Sequence, residues 1–177
     1  MSNLENKDLE GLAKEWKVID SSLNNHKKLV LGYSVQTVDP DPIFVGMSKK
    51  EVNDYFEYLC DENDKSTAFN SIAAMEALFF LDFKTRTRKK LKDPLSRKMR
   101  ENITSLKPSL EKEILKIWKE HHPEFKSKIN KFSGLLTYRH WFAHGRHWPL
   151  DLKHRVDLHT VFKLCRELVE ELPLKRM

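Results

Sequence analysis

The segment Tyr138-Arg139-His140-Trp141-Phe142-Ala143-His144-Gly145-Arg146-His147-Trp148 sets three histidines, two arginines and four aromatic residues within eleven positions. An arginine is charged at any working pH, and its planar fork fits a phosphate. A histidine exchanges protons near neutrality. The two types together point to phosphodiester chemistry, or at least to phosphate binding. Ile129, Phe132, Leu135 and Leu136 precede the segment at helical spacing, so Arg139 falls on the last turns of a helix. Gly145 is the natural terminator and Pro149 blocks continuation. Residues three or four apart share a helix face, which makes His140 and His144 neighbours with Arg139 beside them.

Arg139, four intervening residues and His144 resemble the R-x4-6-H motif of the HEPN superfamily. These are small all-α domains, many of them metal-independent RNA endonucleases in toxin–antitoxin and antiviral systems. In that family the residue after the arginine is usually polar; here it is His140. The resemblance is close over the motif and extends from Ser48 to Leu172 by pattern alone. It implies attack of a 2′-hydroxyl on the adjacent phosphate, leaving a 2′,3′-cyclic phosphate and a 5′-hydroxyl. His144 would act as general base or acid. Arg139 would neutralise charge building on the phosphoryl oxygens. His140 would orient His144 or carry the second proton. Family members place the two motifs of a dimer across one cleft, which implies a homodimer. They often carry an acidic or polar supporting residue on an earlier core helix; by position Glu76 is the first candidate and Asp82 the second. RNA is the implied substrate, a cognate antitoxin protein a further partner, and no cofactor is called for.

Two other readings of the segment stand beside this one. His140 and His144 at i, i+4 are spaced to share a metal ion, with His147 as a third ligand. Against a metal, no HExxH motif occurs, no cysteine lies nearby, and Arg139 and Arg146 would repel a dication. Alternatively the domain is a non-catalytic HEPN-like module that binds RNA or protein, with Trp141, Phe142 and Trp148 forming a packing corner.

The elements that must position these residues read as helices. The expected fold is all-α, a HEPN-like bundle of four core helices with N-terminal and inserted helices. It forms one domain over 1–177, with 1–45 as an N-terminal helix and an extended linker. Leu4, Leu9, Leu12, Trp16, Ile19 and Leu23 outline the first helix, and Leu29 to Val38 is read as the linker. Ser48-Lys49-Lys50-Glu51 has the form of a capping box and should start a helix burying Val52, Tyr55, Phe56 and Leu59. Asp61 to Asp64 is expected to break it. A second long helix then begins at Ser66 or Thr67 and carries Ile72, Met75, Phe79 and Phe83. Asp93-Pro94 opens a short helix, Ser109 caps another, and His121-His122-Pro123 ends that one. Asp151 is the expected N-cap of a last helix with Val156, Phe162, Cys165, Val169 and Leu172 on one face, stopped by Pro173.

The 177-residue chain is 40% hydrophobic and 33% charged, with a net charge of +6. That balance suits a folded domain and favours an anionic partner, nucleic acid before membrane. Lys84 to Arg100 holds nine Lys or Arg against one acid, Asp93. Within it Arg86, Arg88, Lys89 and Lys90 are the candidate contacts to an RNA backbone, together with Arg146 and His147 near the motif. Two cysteines without a CxxC pattern indicate a reducing compartment, read as the cytoplasm. Met1 to Glu10 has no apolar signal region. The run from Ile72 to Phe83, interrupted by Glu76 and Asp82, is too short to span a bilayer.

Overall fold

The computed structural model describes residues 8–32, 41–105, 107–150 and 156–175. Their regular structure is helical, with no strand among the described residues. The helices are α1 (Leu9–Gly32), α2 (Lys49–Arg88), α3 (Pro94–Asn102), α4 (Leu115–His121), α5 (Lys126–Ala143) and α6 (Leu158–Glu171), with single turns of 3-10 or π helix between some of them. The all-α expectation is met. No described helix is long and apolar enough to cross a membrane. The chain divides into two compact units, Glu10–Thr67 and Ala68–Met177, the latter joined by Leu9. The division falls inside α2.

In the unit Glu10–Thr67, α1 lies against the first part of α2. The Trp16 indole donates to Asp64 Oδ1 at 2.7 Å, and Asn63 Nδ2 donates to the Trp16 carbonyl at 3.4 Å. Its buried apolar residues are Leu12, Val52 and Phe56. Around Phe56, His26, Phe44 and Tyr55 form an aromatic cluster, with Phe44 stacked on Phe56 at 5.4 Å between centroids. Ser48 and Glu51 form the expected capping box: the Ser48 N–H donates to the Glu51 carboxylate at 2.7 Å, and the Glu51 N–H donates to the Ser48 hydroxyl at 3.2 Å.

Two expectations fail in this unit. α2 runs unbroken for 40 residues, so Asp61 to Asp64 does not end it. That run contains neither Gly nor Pro, and its acids are compatible with a helix: Lys65 pairs with both Asp61 and Glu62, spacings that support helices, while Asp64 receives the Trp16 indole. α1 continues to Gly32, so the linker does not begin at Leu29; the rest of the proposed linker, and Leu4, lie outside the described residues.

In the unit Ala68–Met177 one core joins five helices. Ile72, Met75 and Phe79 of α2 meet Met99 of α3, Ile114, Leu115 and Trp118 at α4, Ile129 and Phe132 of α5, and Val161, Cys165 and Leu168 of α6, all fully buried. Phe79 packs edge-on to Trp118 at 6.2 Å and beside Phe132 at 5.6 Å. Asp93 caps α3 with Pro94 in its first turn, and Ser109 caps the π turn before α4. α6 begins later than expected. Its N-cap is Asp157, whose Oδ1 accepts the Thr160 N–H at 2.9 Å; Asp151 lies outside the described residues. The buried stripe is Val161, Leu164, Cys165, Leu168 and Leu172, so Phe162 and Val169 flank it, and Val156 precedes the helix.

Candidate functional site

The motif occupies the C-terminal end of α5. The last turn closes as a Schellman cap: the Arg146 N–H donates to the Trp141 carbonyl at 3.1 Å, and the Gly145 N–H donates to Phe142 O at 3.3 Å. This cap needs a left-handed residue just past the helix, and Gly145 supplies it at φ 79°. Glycine takes that conformation without a Cβ penalty. Arg146 is left-handed as well, at φ 56°. Its guanidinium lies over the Phe142 ring, 4.4 Å from the centroid, and Phe142 stacks on Phe69 of α2 at 4.9 Å.

His144 is the C-cap residue of α5. Its ring lies 4.2 Å from that of His140, centroid to centroid, and both residues are exposed. Trp148 packs near His140 at 5.9 Å and near His144 at 6.3 Å. The chain after the cap is folded back by the Trp141 indole, which donates to the Trp148 carbonyl at 2.8 Å. His147 Nδ1 lies 2.8 Å from the His144 carbonyl. A carbonyl only accepts, so Nδ1 is the donor in this contact.

Arg139 is held differently. Its Nε lies 3.3 Å from Glu76 Oε2 on α2, both side chains being partly exposed. The alignment makes this an ion pair without a hydrogen bond at Nε. Around a regular helix, residues five apart diverge by about 140°. Arg139 is thus paired with Glu76, while His140 and His144 pair with each other. The structure brings together Arg139 with Glu76, and His140 with His144 and Trp148. The sequence pattern did not single out Phe69, although Phe69 and Glu76 stand seven residues apart on α2 and meet Phe142 and Arg139 of α5; that spacing is the signal that would have found it.

The basic run separates into buried and exposed members. Arg86 is not available to RNA. Its side chain is 3% exposed. Nε donates to both Asp82 oxygens at 2.7 and 2.9 Å, Nη1 to Asp93 Oδ1 at 3.0 Å and Ser96 Oγ at 3.2 Å, and Nη2 to the Pro173 carbonyl at 2.9 Å. Its guanidinium also sits 5.3 Å from the Trp118 ring centroid. Asp82, the second candidate for a supporting acid, is fully buried in this cluster and accepts the Lys175 N–H at 2.7 Å. Burial pushes its carboxyl up, outweighing the opposing Lys175 N–H and Arg86 charge. A charge pattern cannot tell this arginine from its neighbours; the i, i+4 spacing from Asp82 and the nearby Asp93-Pro94 cap were the available signals. Arg88, Lys89 and Lys90 are exposed. Lys90 ends the helix in the left-handed region at φ 48°.

No group of three or more His, Cys, Asp or Glu suited to a metal ion occurs among the described residues. Burial pushes the Cys165 thiol up to about 12, which removes it as a nucleophile. Comparison with family models, curated proteins and solved structures finds no match for this chain.

Proposed function

We propose that this chain is a metal-independent endoribonuclease of HEPN type, built on a HEPN-like helical bundle and cleaving by 2′-hydroxyl attack to leave 2′,3′-cyclic phosphate ends. The observation that carries the reading is the exposed His140–His144 pair at 4.2 Å, at the end of the helix that also bears Arg139. Transesterification needs one group to take the proton from the 2′-hydroxyl and another to give one to the leaving 5′-oxygen. Two imidazoles in contact supply both when one is neutral and one charged. The arginine's part is to hold the phosphoryl oxygens as charge accumulates.

The pairing of Arg139 with Glu76 bears on assembly. Within one chain the guanidinium is turned to α2 and the imidazoles to each other. A homodimer that faces two α5 ends across one cleft would bring the arginine of one copy to the histidines of the other. RNA recognition falls to the unit Ala68–Met177, which holds all nine arginines; its exposed Arg88, Lys89 and Lys90, with Arg146 and His147, are the proposed backbone contacts. A cognate antitoxin and a cytoplasmic setting accompany the resemblance.

A second reading has its own observation. The Glu76 carboxylate partly neutralises Arg139, as in a packing corner, and this favours a non-catalytic module that binds RNA or protein. Incubation of the purified chain with RNA in EDTA, followed by analysis of the cut ends, separates the two.

A further inference from the structure

Trp148 stands apart from the other aromatic rings of its segment. Tyr138 belongs to the hydrophobic core, and Trp141 and Phe142 pack against that core, whereas the partly exposed Trp148 does not among the described residues. Its ring neighbours are three imidazoles: His147 edge-on at 4.3 Å, His140 at 5.9 Å and His144 at 6.3 Å. These contacts join the indole and the His140–His144 pair into one patch. The backbone holds the indole there. The Trp141 N–H donates to the Trp148 carbonyl at 2.8 Å, and His147 Nδ1 donates to the His144 carbonyl at 2.8 Å. Pro149 follows directly and disfavours helical backbone at Trp148.

The charge around the patch favours a ligand with an anionic backbone. Lys126 to Leu150 carries three lysines and two arginines and no Asp or Glu. Glu76 offsets the charge of Arg139, and Glu167 and Glu171 that of Lys128. A flat π surface beside phosphate-binding groups suits a nucleobase, since every base has a face to stack while its phosphate meets the cations. We propose that Trp148 is a stacking platform for an unpaired base next to the scissile phosphate, which makes single-stranded RNA the substrate class. The inference rests on RNA as the ligand of the His140–His144 site. A base inside a duplex is already stacked on its neighbours, and taking it out is costly; a single strand offers its bases to aromatic side chains freely. The phosphate contacts would hold any strand, and Trp148 would select the unpaired one.

The test uses the full chain and three fluorescently labelled probes that cannot be cut because every 2′-hydroxyl is methylated: a short single strand, its twin with abasic residues throughout, and the same strand in a duplex. The parent should bind the base-bearing strand more tightly than the abasic twin by about fivefold or more, the scale of one stacked base, and more tightly than the duplex. Trp148→Leu should shrink the ratio of base-bearing to abasic affinity while leaving the abasic affinity unchanged, and Trp148→Phe should keep part of the ratio, with helical content unchanged in both. The same ratio in a folded Trp148→Leu as in the parent, or equal loss of both affinities, would overturn the inference, and the cleavage reading would stand if the parent still cuts RNA. Base discrimination that depends on Trp148 in a chain that cuts no RNA would uphold the platform and overturn the cleavage reading instead. Failure of the parent to bind either strand would overturn both.

Discussion

Glu76 Oε2 of α2 lies 3.3 Å from Arg139 Nε of α5. The one acid in the apolar stretch of α2 from Ala73 to Leu81 therefore meets the arginine of the motif. One turn further along α5, Phe142 stacks on Phe69. α2 thus grips the last two turns of α5 by a charge and by a ring, and that grip fixes the direction in which Arg139 leaves the helix.

The pair is partly exposed and should add little to stability, within about 1 kcal/mol. Glu76→Gln should leave the urea midpoint nearly unchanged. If Glu76 aims Arg139 at a phosphate, the same substitution should lower RNA cleavage by roughly 10–10²-fold, the scale on which small misplacements act. Unchanged cleavage would reduce Glu76 to a surface partner.

Arg86 behaves in the opposite way. Arg86→Ala strands the fully buried Asp82 and should cost about 3–5 kcal/mol. Arg86→Lys should recover only part, since an ammonium cannot reach Asp82, Asp93, Ser96 and Pro173 with one fork. Asp82→Leu combined with Arg86→Met should destabilise less than Arg86→Ala alone, because no unpaired buried charge remains. Urea unfolding of the three variants checks the order.

The exposed basic residues carry the RNA prediction. Arg88→Ala, Lys89→Ala and Lys90→Ala together should keep the fold, as surface changes usually stay within about 0.5 kcal/mol. RNA affinity should fall, and the slope of log K against log salt should flatten by about 0.7 to 0.9 for each phosphate that is no longer neutralised. Identical binding isotherms for variant and parent at every salt concentration would show the run to be solvated surface.

Asp157 offers a pH test. The Thr160 N–H, then the Thr160 hydroxyl, hold its carboxyl below the ordinary aspartate value of 3.8. A group lowered on folding stabilises above its unfolded value and loses that contribution as pH falls through the folded one. Asp157→Ala should cost about 1 kcal/mol near neutral pH, the typical worth of an N-cap. The gap between variant and parent should narrow progressively below pH 3.8. A gap independent of pH would mean that the charge contributes nothing.

Much of the fold and part of the site are legible in the residues. The Ser48–Glu51 box, the Asp93-Pro94 start and the Gly145 stop are local, so spacing alone discloses them. The contact of His140 with His144 follows from helix geometry. What spacing does not show is long-range partnership. Asp61 to Asp64 looks like a breaker until Trp16, far away in the chain, takes up Asp64. Arg86 looks like a surface cation until Pro173 and Trp118 close over it. Spacing sets Arg139 beside the histidines, yet its partner is Glu76, placed by the packing of α2 on α5. At the start of α6 the sequence pattern points to Asp151, whereas the cap is Asp157, whose Oδ1 accepts the Thr160 N–H.

The proposed chemistry is RNA cleavage by the imidazole pair without a metal. The direct measurement is the rate of cutting of a defined RNA in EDTA by the parent chain and by His144→Ala, with the new ends analysed and helical content checked. The expected result is cutting by the parent in EDTA, 2′,3′-cyclic phosphate ends, resistance of a substrate with 2′-deoxyribose at the cut, and a fall of about 10²–10⁴-fold in His144→Ala. Full activity in a folded His144→Ala, or loss of the parent's activity in EDTA, would contradict it.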